Sequence, residues 1–259
     1  DPKVVAFYCA LDECKENEDK HDHDGTSDPY DDHGHGSHCA GITAGTGSVD
    51  EGPMSTGETP YRGVAPGAEL VGVKVLDGGG SGSFAEVMKG MEWTIDYQEI
   101  YNIRSASMSL GGVWLIELTQ EQEERVTTLA NEMVAAGISL MIAAGNSAGY
   151  GTIGTPGAAK DVITVGATED SRQLAVYSSK GPTHEGQIKP NVAAIGSAVM
   201  SVEANTANGY VSMSGTSMAT PMVAGMAVLL HQANPDLQPL MIRSILETTA
   251  EYRFLSHPV

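Results

Sequence analysis

Basic residues and long hydrophobic runs are both scarce in this chain. Its 259 residues include 14 lysines and arginines against 33 aspartates and glutamates, and the formal net charge is -19. A charge of this sign and size repels nucleic acid and anionic membranes, so we expect neither as a partner. No stretch approaches the roughly 20 apolar residues that a membrane-spanning helix needs, and the first residues carry no signal-peptide pattern. The sequence therefore predicts a soluble protein, either a mature form or an excised fragment.

Cysteine is also scarce. Three cysteines cannot all pair within one molecule, but Cys9 and Cys14 are close enough in the sequence to close one small loop. Whether they do, and in which redox compartment, is left open by the sequence. With 41% hydrophobic residues, the chain is long enough to bury a full core. We therefore expect a single domain over residues 1–259, most simply of the α/β class.

Short β-branched runs alternate with helical patterns along the chain, which is typical of a parallel sheet. The clearest predicted strands are 70–76, 103–110, 138–144 and 161–167. Helices are predicted at 83–97, where Ser83 and Glu86 form a capping box, and at 120–136, which Gly137 ends. Right-handed crossovers place helices on both faces of such a sheet. The predicted fold is therefore three-layer α/β with a mostly parallel central sheet.

Three motifs fall where strands end or helices begin, which is where parallel sheets gather functional groups. They are Asp-His-Gly-His-Gly-Ser-His-Cys-Ala-Gly at 32–41, Ala-Ala-Gly-Asn at 143–146 and Gly-Thr-Ser-Met-Ala-Thr-Pro at 215–221. The last precedes a helix predicted over 222–232, so Ser217 lies at the positive end of that helix, and we expect its backbone N–H to face a ligand. A serine hydroxyl is a poor nucleophile until a base takes its proton. His35, flanked by glycines at another helix start, is the best candidate for that base.

These motifs, together with further matching segments in the same order, resemble the subtilase family of subtilisin-like serine proteases. The further segments are 63–68, 73–76, 109–112 and 178–183, and the match runs from about residue 3 to about residue 249. The resemblance implies a subtilisin-like fold and a serine endopeptidase. It also implies polypeptide substrates, no required cofactor, an inhibitory pro-region as a partner, a monomer and an extracellular location. Structural calcium is common in the family, but no loop here identifies its ligands.

The resemblance assigns roles residue by residue. Ser217 would attack the scissile carbonyl and form an acyl-enzyme, while His35 would take the serine proton and pass it to the leaving amine. The side-chain amide of Asn146 and the backbone N–H of Ser217 would bind the oxyanion. The edge strand that pairs with substrate would comprise Ser109, Leu110 and Gly111, and the pocket for the side chain before the cleaved bond would comprise Ala143, Ala144, Gly145 and Gly154. Small residues in that pocket imply a broad preference for large uncharged side chains.

One part of the family pattern is missing. Subtilases orient the histidine with an aspartate in an Asp-Thr-Gly or Asp-Ser-Gly sequence on an earlier strand, and neither sequence precedes His35. Residues 3–8 resemble the strand that follows this aspartate, so we expect the chain to begin after it. From the same resemblance we also expect the chain to end short of the usual C-terminus of the family. Four aspartates lie in the right stretch but in no recognisable context: Asp12, Asp22, Asp24 and Asp28. The alternative that follows is a catalytically impaired protease fragment.

A metal-binding module is the other alternative. Five of the eight histidines lie among five aspartates, namely His21, His23, His33, His35 and His38 with Asp22, Asp24, Asp28, Asp31 and Asp32. Imidazole and carboxylate together are plausible zinc ligands. However, His35 and His38 lack the His-Glu-x-x-His pattern of metalloproteases. The metal hypothesis therefore concerns this histidine-rich loop and makes no use of Ser217.

Overall fold

The structure is a computed structural model that describes residues 3–15, 28–47, 61–111, 119–169 and 173–251. Its strands are β1 (Val4–Cys9), β2 (Leu70–Lys74), β3 (Ser105–Met108), β4 (Ser139–Ala143), β5 (Ile163–Thr168), β6 (Val192–Ile195), β7 (Val199–Val202) and β8 (Tyr210–Met213). Its helices are α1 (Asp12–Lys15), α2 (His35–Ala44), α3 (Phe84–Asp96), α4 (Gln120–Ala135), α5 (Thr216–Ala233) and α6 (Pro239–Thr249). The chain divides into two compact units: Asp1–Arg104 with Ser201–Val211, called the first unit below, and Ser105–Met200 with Ser212–Val259, called the second unit. A single domain over the whole chain stays a prediction.

The first unit is built on β1 and β2, which pair in parallel. Tyr8 of β1 stacks on Trp93 of α3, with ring centroids 5.0 Å apart and ring planes within 4°. Both rings are buried, and because aromatic side chains bury large apolar areas, this contact holds α3 to the sheet. A disulfide joins Cys9 of β1 to Cys14 of α1. The small loop that the cysteine spacing allowed is therefore closed.

The second unit contains four parallel strands in the order β3-β4-β5-β6, and α5 packs across all four. Ile163 and Val165 of β5 meet Val223 and Ala227 of α5 in its core. Burial of one such valine or isoleucine side chain stabilises the fold by about 1.5–3 kcal/mol. This packing fixes the N-terminal end of α5, where Ser217 lies, against the sheet of the same unit.

Local signals in the sequence located most of these elements. The predicted strands correspond to β2, β3, β4 and β5, and no strand end differs from its predicted position by more than two residues. The capping box between Ser83 and Glu86 is formed at the start of α3. α4 ends at Ala135, and Gly137 follows with a φ of 94°, a backbone conformation that favours glycine. Within the described ranges, no helix is long and apolar enough to cross a membrane.

The helix after the serine motif begins earlier than its apolar run. The apolar run predicts a helix over 222–232, whereas α5 starts at Thr216 and contains Pro221. Proline has no N–H to donate to the carbonyl four residues before it, which here belongs to Ser217. The hydroxyl of Ser109 donates to that carbonyl at 2.8 Å. A side chain that follows β3 thus replaces the helical hydrogen bond that Pro221 cannot make.

Candidate active site

His35 is the first residue of α2, and the turn before it has an unusual cap. Gly34 occupies the N-cap position in a left-handed conformation with a φ of 95°, which suits glycine. It has no side chain to accept the N–H groups of the first helical turn. Instead, the carboxylate of Asp31 accepts backbone N–H groups from His33 at 3.1 Å, Gly34 at 2.8 Å and Ser37 at 2.7 Å. The backbone on both sides of His35 is therefore held by one carboxylate.

Two ionisable groups of this turn have displaced pKa values. Burial lowers the pKa of His35 below its ordinary value of 6.5, the charges of His33 and His38 lower it further, and the carboxylate of Asp31 opposes them. His35 is therefore neutral at neutral pH, the form that can accept a proton. For Asp31, burial acts to raise the pKa, but the hydrogen bonds donated to its carboxylate outweigh burial and lower it below 3.8. Asp31 is accordingly ionised at neutral pH.

Residues 201–211 anchor α2 within the first unit. The imidazole of His38 is fully buried, and its Nε2 lies 3.0 Å from the carbonyl oxygen of Val211. The hydroxyl of Ser201 donates to the carbonyl of His38 at 2.8 Å. The thiol of Cys39, also on α2, is half-buried, and its Sγ lies 4.0 Å from Nε2 of His35.

Ser217 is the second residue of α5 and is linked to Ser109 by two hydrogen bonds. The Ser217 hydroxyl donates to the carbonyl of Ser109 at 3.3 Å, and the Ser109 hydroxyl donates to the carbonyl of Ser217 at 2.8 Å. Both residues are half-buried. The nucleophile candidate and the first residue of the predicted substrate strand are therefore held together within the second unit.

Asn146 follows β4 and has a defined side-chain orientation. Its Oδ1 accepts the backbone N–H of Thr216 at 2.9 Å and the Thr216 hydroxyl at 3.1 Å. Since both partners are donors, these bonds assign the oxygen and leave Nδ2 on the opposite side of the amide. A Cβ built on Gly215 would lie 3.4 Å from Nδ2 of Asn146 and 3.6 Å from the backbone nitrogen of Ser217. Two N–H donors that border one space can stabilise a developing oxyanion.

The residues predicted to bind substrate also lie in the second unit. A Cβ built on Gly111 would lie 3.6 Å from the carbonyl oxygen of Thr155, so the segment after β3 faces the residue that follows Gly154. Gly145 donates its N–H to the Thr216 hydroxyl at 3.2 Å, which ties that segment to the serine motif. The side chains before it pack in the core: Ala143 is 7% exposed and Ala144 is 0% exposed. That these residues line one pocket stays a prediction.

The structure therefore joins part of the predicted site. Ser217, Asn146 and Ser109 are connected by hydrogen bonds, directly or through Thr216, within the second unit, whereas His35 belongs to the first unit. The pairing of His35 with Ser217 stays a prediction. Thr216 stands inside the serine motif, but no feature of the sequence predicts a role for it. The sequence indicates Asp31 only as a metal-ligand candidate, because a cap three residues before a glycine N-cap has no common sequence signature.

Among the described residues, no aspartate before His35 forms a hydrogen bond with its ring. Asp12 pairs with Lys89 at 3.2 Å, and Asp28 is exposed. Asp22 and Asp24 lie outside the described residues, as do His21 and His23 of the metal hypothesis. In the part of the chain that the structure describes, no group of three or more His, Cys, Asp or Glu side chains could hold a metal ion.

Comparison with known proteins identifies the family. The sequence profile of the Subtilase family matches residues 3–258. This chain belongs to the subtilase family. Serine protease AprX of Bacillus subtilis (strain 168) is 41% identical over 244 residues, which are 85% of this chain and 53% of that protein. Thermostable alkaline protease of Halalkalibacterium halodurans is 38% identical over 223 residues, which are 86% of this chain and 54% of that protein.

Solved structures agree with the family. A cold adapted subtilisin-like serine proteinase superposes with a TM-score of 0.71 at 28% identity, covering 97% of this chain and 84% of that one. Sphericase superposes with a TM-score of 0.71 at 30% identity, covering 95% of this chain and 83% of that one. These likenesses confirm the predicted α/β fold of three layers with a mostly parallel central sheet. This subtilase chain spans about half the length of the sequence relatives named above.

Proposed function

We propose that this subtilase is a serine endopeptidase in which Ser217 is the nucleophile and His35 the general base. The observation that carries the proposal is that Nδ2 of Asn146 and the backbone N of Ser217 lie 3.4 Å and 3.6 Å from one point, the position of a Cβ built on Gly215. Thr216 supports this arrangement because its two donors fix the Asn146 amide with Nδ2 turned away from them. Family membership supports the same assignment.

In the proposed reaction, the Ser217 oxygen attacks the scissile carbonyl carbon and His35 takes the serine proton. The carbonyl oxygen becomes an oxyanion that accepts hydrogen bonds from Asn146 Nδ2 and the Ser217 N–H. Collapse of this intermediate breaks the C–N bond, the proton passes from His35 to the leaving amine, and Ser217 holds the acyl group as an ester. Water then hydrolyses the ester with His35 again as base. The lowered pKa of His35 favours the neutral ring that both steps require.

The proposed substrates are polypeptides that lie in an extended conformation along Ser109, Leu110 and Gly111. Ala143, Ala144, Gly145 and Gly154 form the proposed pocket for the side chain before the cleaved bond, with a broad preference for large uncharged side chains. We further propose a secreted monomer that needs no cofactor for the reaction, with an inhibitory pro-region as a partner. Structural calcium would be bound without a part in the chemistry.

The proposed activity depends on a carboxylate that keeps His35 in the productive tautomer. Asp31 acts on His35 through its charge, but its two oxygens are directed to backbone N–H groups. Among the described residues no carboxylate accepts a hydrogen bond from the His35 ring, so the proposal assigns the orienting role to none of them. Where this carboxylate is not supplied, the protein would be a catalytically impaired protease, since loss of this aspartate in a subtilisin lowers turnover by about 3 × 10⁴.

A fluorophosphonate probe tests the proposal on the full-length protein. We expect stoichiometric labelling of the native protein and of Ser244→Ala, a control on the exposed surface of α6, and no labelling of Ser217→Ala. Labelling of Ser217→Ala, or its absence in the folded full-length protein, would contradict the proposal. Zinc that is retained through gel filtration and lost on replacement of His21 and His23 would support the metal-binding alternative instead.

A further inference from the structure

Asp31 lies four residues before His35, and its side chain caps the N-terminus of α2. In an ordinary helix the N-cap side chain accepts the N–H of the third helical residue, here Ser37. Gly34 fills the cap position in α2 and has no side chain, so Oδ2 of Asp31 accepts that N–H at 2.7 Å. Oδ1 accepts the N–H groups of His33 and Gly34 on the other side of the histidine.

Asp31 is itself held from a second direction. The side-chain amide of Asn205 donates to the carbonyl of Asp31 at 3.0 Å. The turn that contains Asn205 connects β7 to β8, so a segment far along the chain fixes the residue that shapes the histidine turn. Burial acts to raise the pKa of Asp31, but three backbone N–H donors and the Ser37 side chain stabilise the negative charge and lower the pKa below its ordinary value.

Few charged groups act on the ring that this turn presents. Within the described residues, His33 and His38 lower the pKa of His35, and Asp31 is the carboxylate that raises it. The thiol of Cys39 lies 4.0 Å from Nε2 and is neutral in its protonated form. Asp31 therefore acts on the His35 imidazole in two ways. Its charge raises the pKa of the ring, and its three hydrogen bonds to backbone N–H groups hold the turn that carries the ring.

We propose that Asp31 is a positioning residue for His35, one that sets the backbone turn carrying the imidazole without touching the substrate. The inference rests on the proposed role of His35 as general base. The proposed role of Asp31 differs from that of the orienting aspartate of the family, because the Asp31 oxygens accept main-chain N–H groups and do not bind the imidazole ring. Loss of Asp31 should displace the ring and lower kcat, while substrate contacts and KM are kept.

The test compares Asp31→Asn and Asp31→Ala with the matched control Asp32→Asn. The control removes the same charge one residue on, where the carboxylate is partly exposed and binds Lys74 at 2.6 Å. In Asp31→Asn one oxygen remains for His33 and Gly34, but an amide NH₂ faces the N–H of Ser37. With active sites counted by fluorophosphonate titration, we expect kcat to fall about 10-fold in Asp31→Asn and about 100-fold in Asp31→Ala. KM should change less than about twofold, and the control should match the native protein.

The pH profile separates positioning from a general loss of folding. Because the Asp31 charge raises the pKa of His35, its removal should move the acid limb of kcat/KM to lower pH. If Asp31→Asn only reduced the number of active sites that fluorophosphonate labels, while kcat per labelled site and the acid limb of kcat/KM stayed as in the native protein, the inference would be overturned.

A second measurement does not depend on protease activity. In the Ser217→Ala background, the pKa of His35 can be measured from the pH dependence of its C2–H chemical shift in NMR spectra, with and without each Asp31 or Asp32 substitution. We expect a lower His35 pKa with Asp31→Asn than with Asp32→Asn. An unchanged His35 titration in Asp31→Asn would overturn the role of Asp31 even if Ser217 proves to be the nucleophile, whereas a shifted titration without fluorophosphonate labelling would count against the proposed function alone.

Discussion

The hydroxyl of Ser109 donates a 2.8 Å hydrogen bond to the carbonyl of Ser217, to which Pro221 has no N–H to donate. One contact thereby allows a proline inside the first turns of α5 and connects the nucleophile candidate to the segment after β3. In return, the Ser217 hydroxyl donates to the carbonyl of Ser109 at 3.3 Å. The position of the serine and that of the predicted substrate strand are therefore set by the same pair of residues.

Replacement of Ser109 by alanine should weaken both stability and catalysis. The partly buried Ser217 carbonyl would lose its hydroxyl donor, which costs about 1–3 kcal/mol of unfolding free energy. Chemical denaturation in the Ser217→Ala background, where self-digestion is absent, measures the stability. The control is Ser107→Ala, at an exposed position of β3. Equal unfolding free energies in the two variants would show that the Ser109 bond contributes nothing.

Replacement of Thr216 by valine should lower kcat through Asn146. Valine keeps the shape of threonine and the backbone donor, but it removes the hydroxyl that donates to Oδ1 of Asn146 at 3.1 Å and accepts the N–H of Gly145 at 3.2 Å. With one of two bonds left, the amide should rotate more freely and kcat should fall about 3- to 10-fold, less than the 10²–10³-fold typical for loss of a whole oxyanion donor.

The matched control for this change is Thr220→Val, one helical turn further along α5. The Thr220 hydroxyl is fully buried and donates to the carbonyl of Thr216 at 2.8 Å, and it forms no hydrogen bond with Asn146. Both variants should lose stability, but only Thr216→Val should lose kcat per titrated site. A similar kcat in the two variants would contradict the positioning of Asn146 by the Thr216 hydroxyl.

What the sequence could predict was largely local. The capping box at Ser83 and the stop at Gly137 depend on residues within one turn of the chain, and both are present in the structure. The start of α5 depends on a hydroxyl 108 residues away, so the apolar run alone placed the helix too late. The cap of α2 likewise depends on Asp31 and, behind it, on Asn205.

The serine, histidine and asparagine motifs identified the family because their local sequences are specific. The hydrogen bonds that orient these side chains join segments far apart in the chain and could not be predicted from the local sequence.

Lys189 should make the protein more stable at alkaline pH. It is 4% exposed, and its ammonium group donates to the carbonyl of Val162 and to Oδ1 of Asn191, both at 2.9 Å. Burial, and then the charge of Arg243, lower its pKa from 10.5 to about 7, while acidic neighbours oppose them. Between pH 7 and 10.5 the unfolded chain binds a proton that the folded chain has released, so the unfolding free energy rises with pH in this window.

The corresponding measurement is the unfolding free energy at pH 7 and at pH 10 in the Ser217→Ala background. The native lysine should gain on the order of 3–5 kcal/mol over this range relative to Lys189→Met, which has no proton to release. Lys160→Met, at an exposed position, controls for the loss of one positive charge and should follow the native lysine. Parallel pH profiles for Lys189→Met and the native protein would mean that Lys189 keeps an ordinary pKa.

Modification of Cys39 should inactivate the protein through His35. The thiol is half-buried, and its Sγ lies 4.0 Å from Nε2 of the imidazole, so a bulky adduct would displace the ring or block its approach to a substrate. The other two cysteines form a disulfide and present no thiol to a mercurial. An organomercurial should therefore abolish kcat in the native protein, excess dithiothreitol should restore it, and Cys39→Ala should retain activity throughout. Because removal of the thiol leaves the contacts of Asp31 intact, Cys39→Ala should also keep the native acid limb of kcat/KM. Inactivation of Cys39→Ala by the same reagent would locate the sensitive group elsewhere.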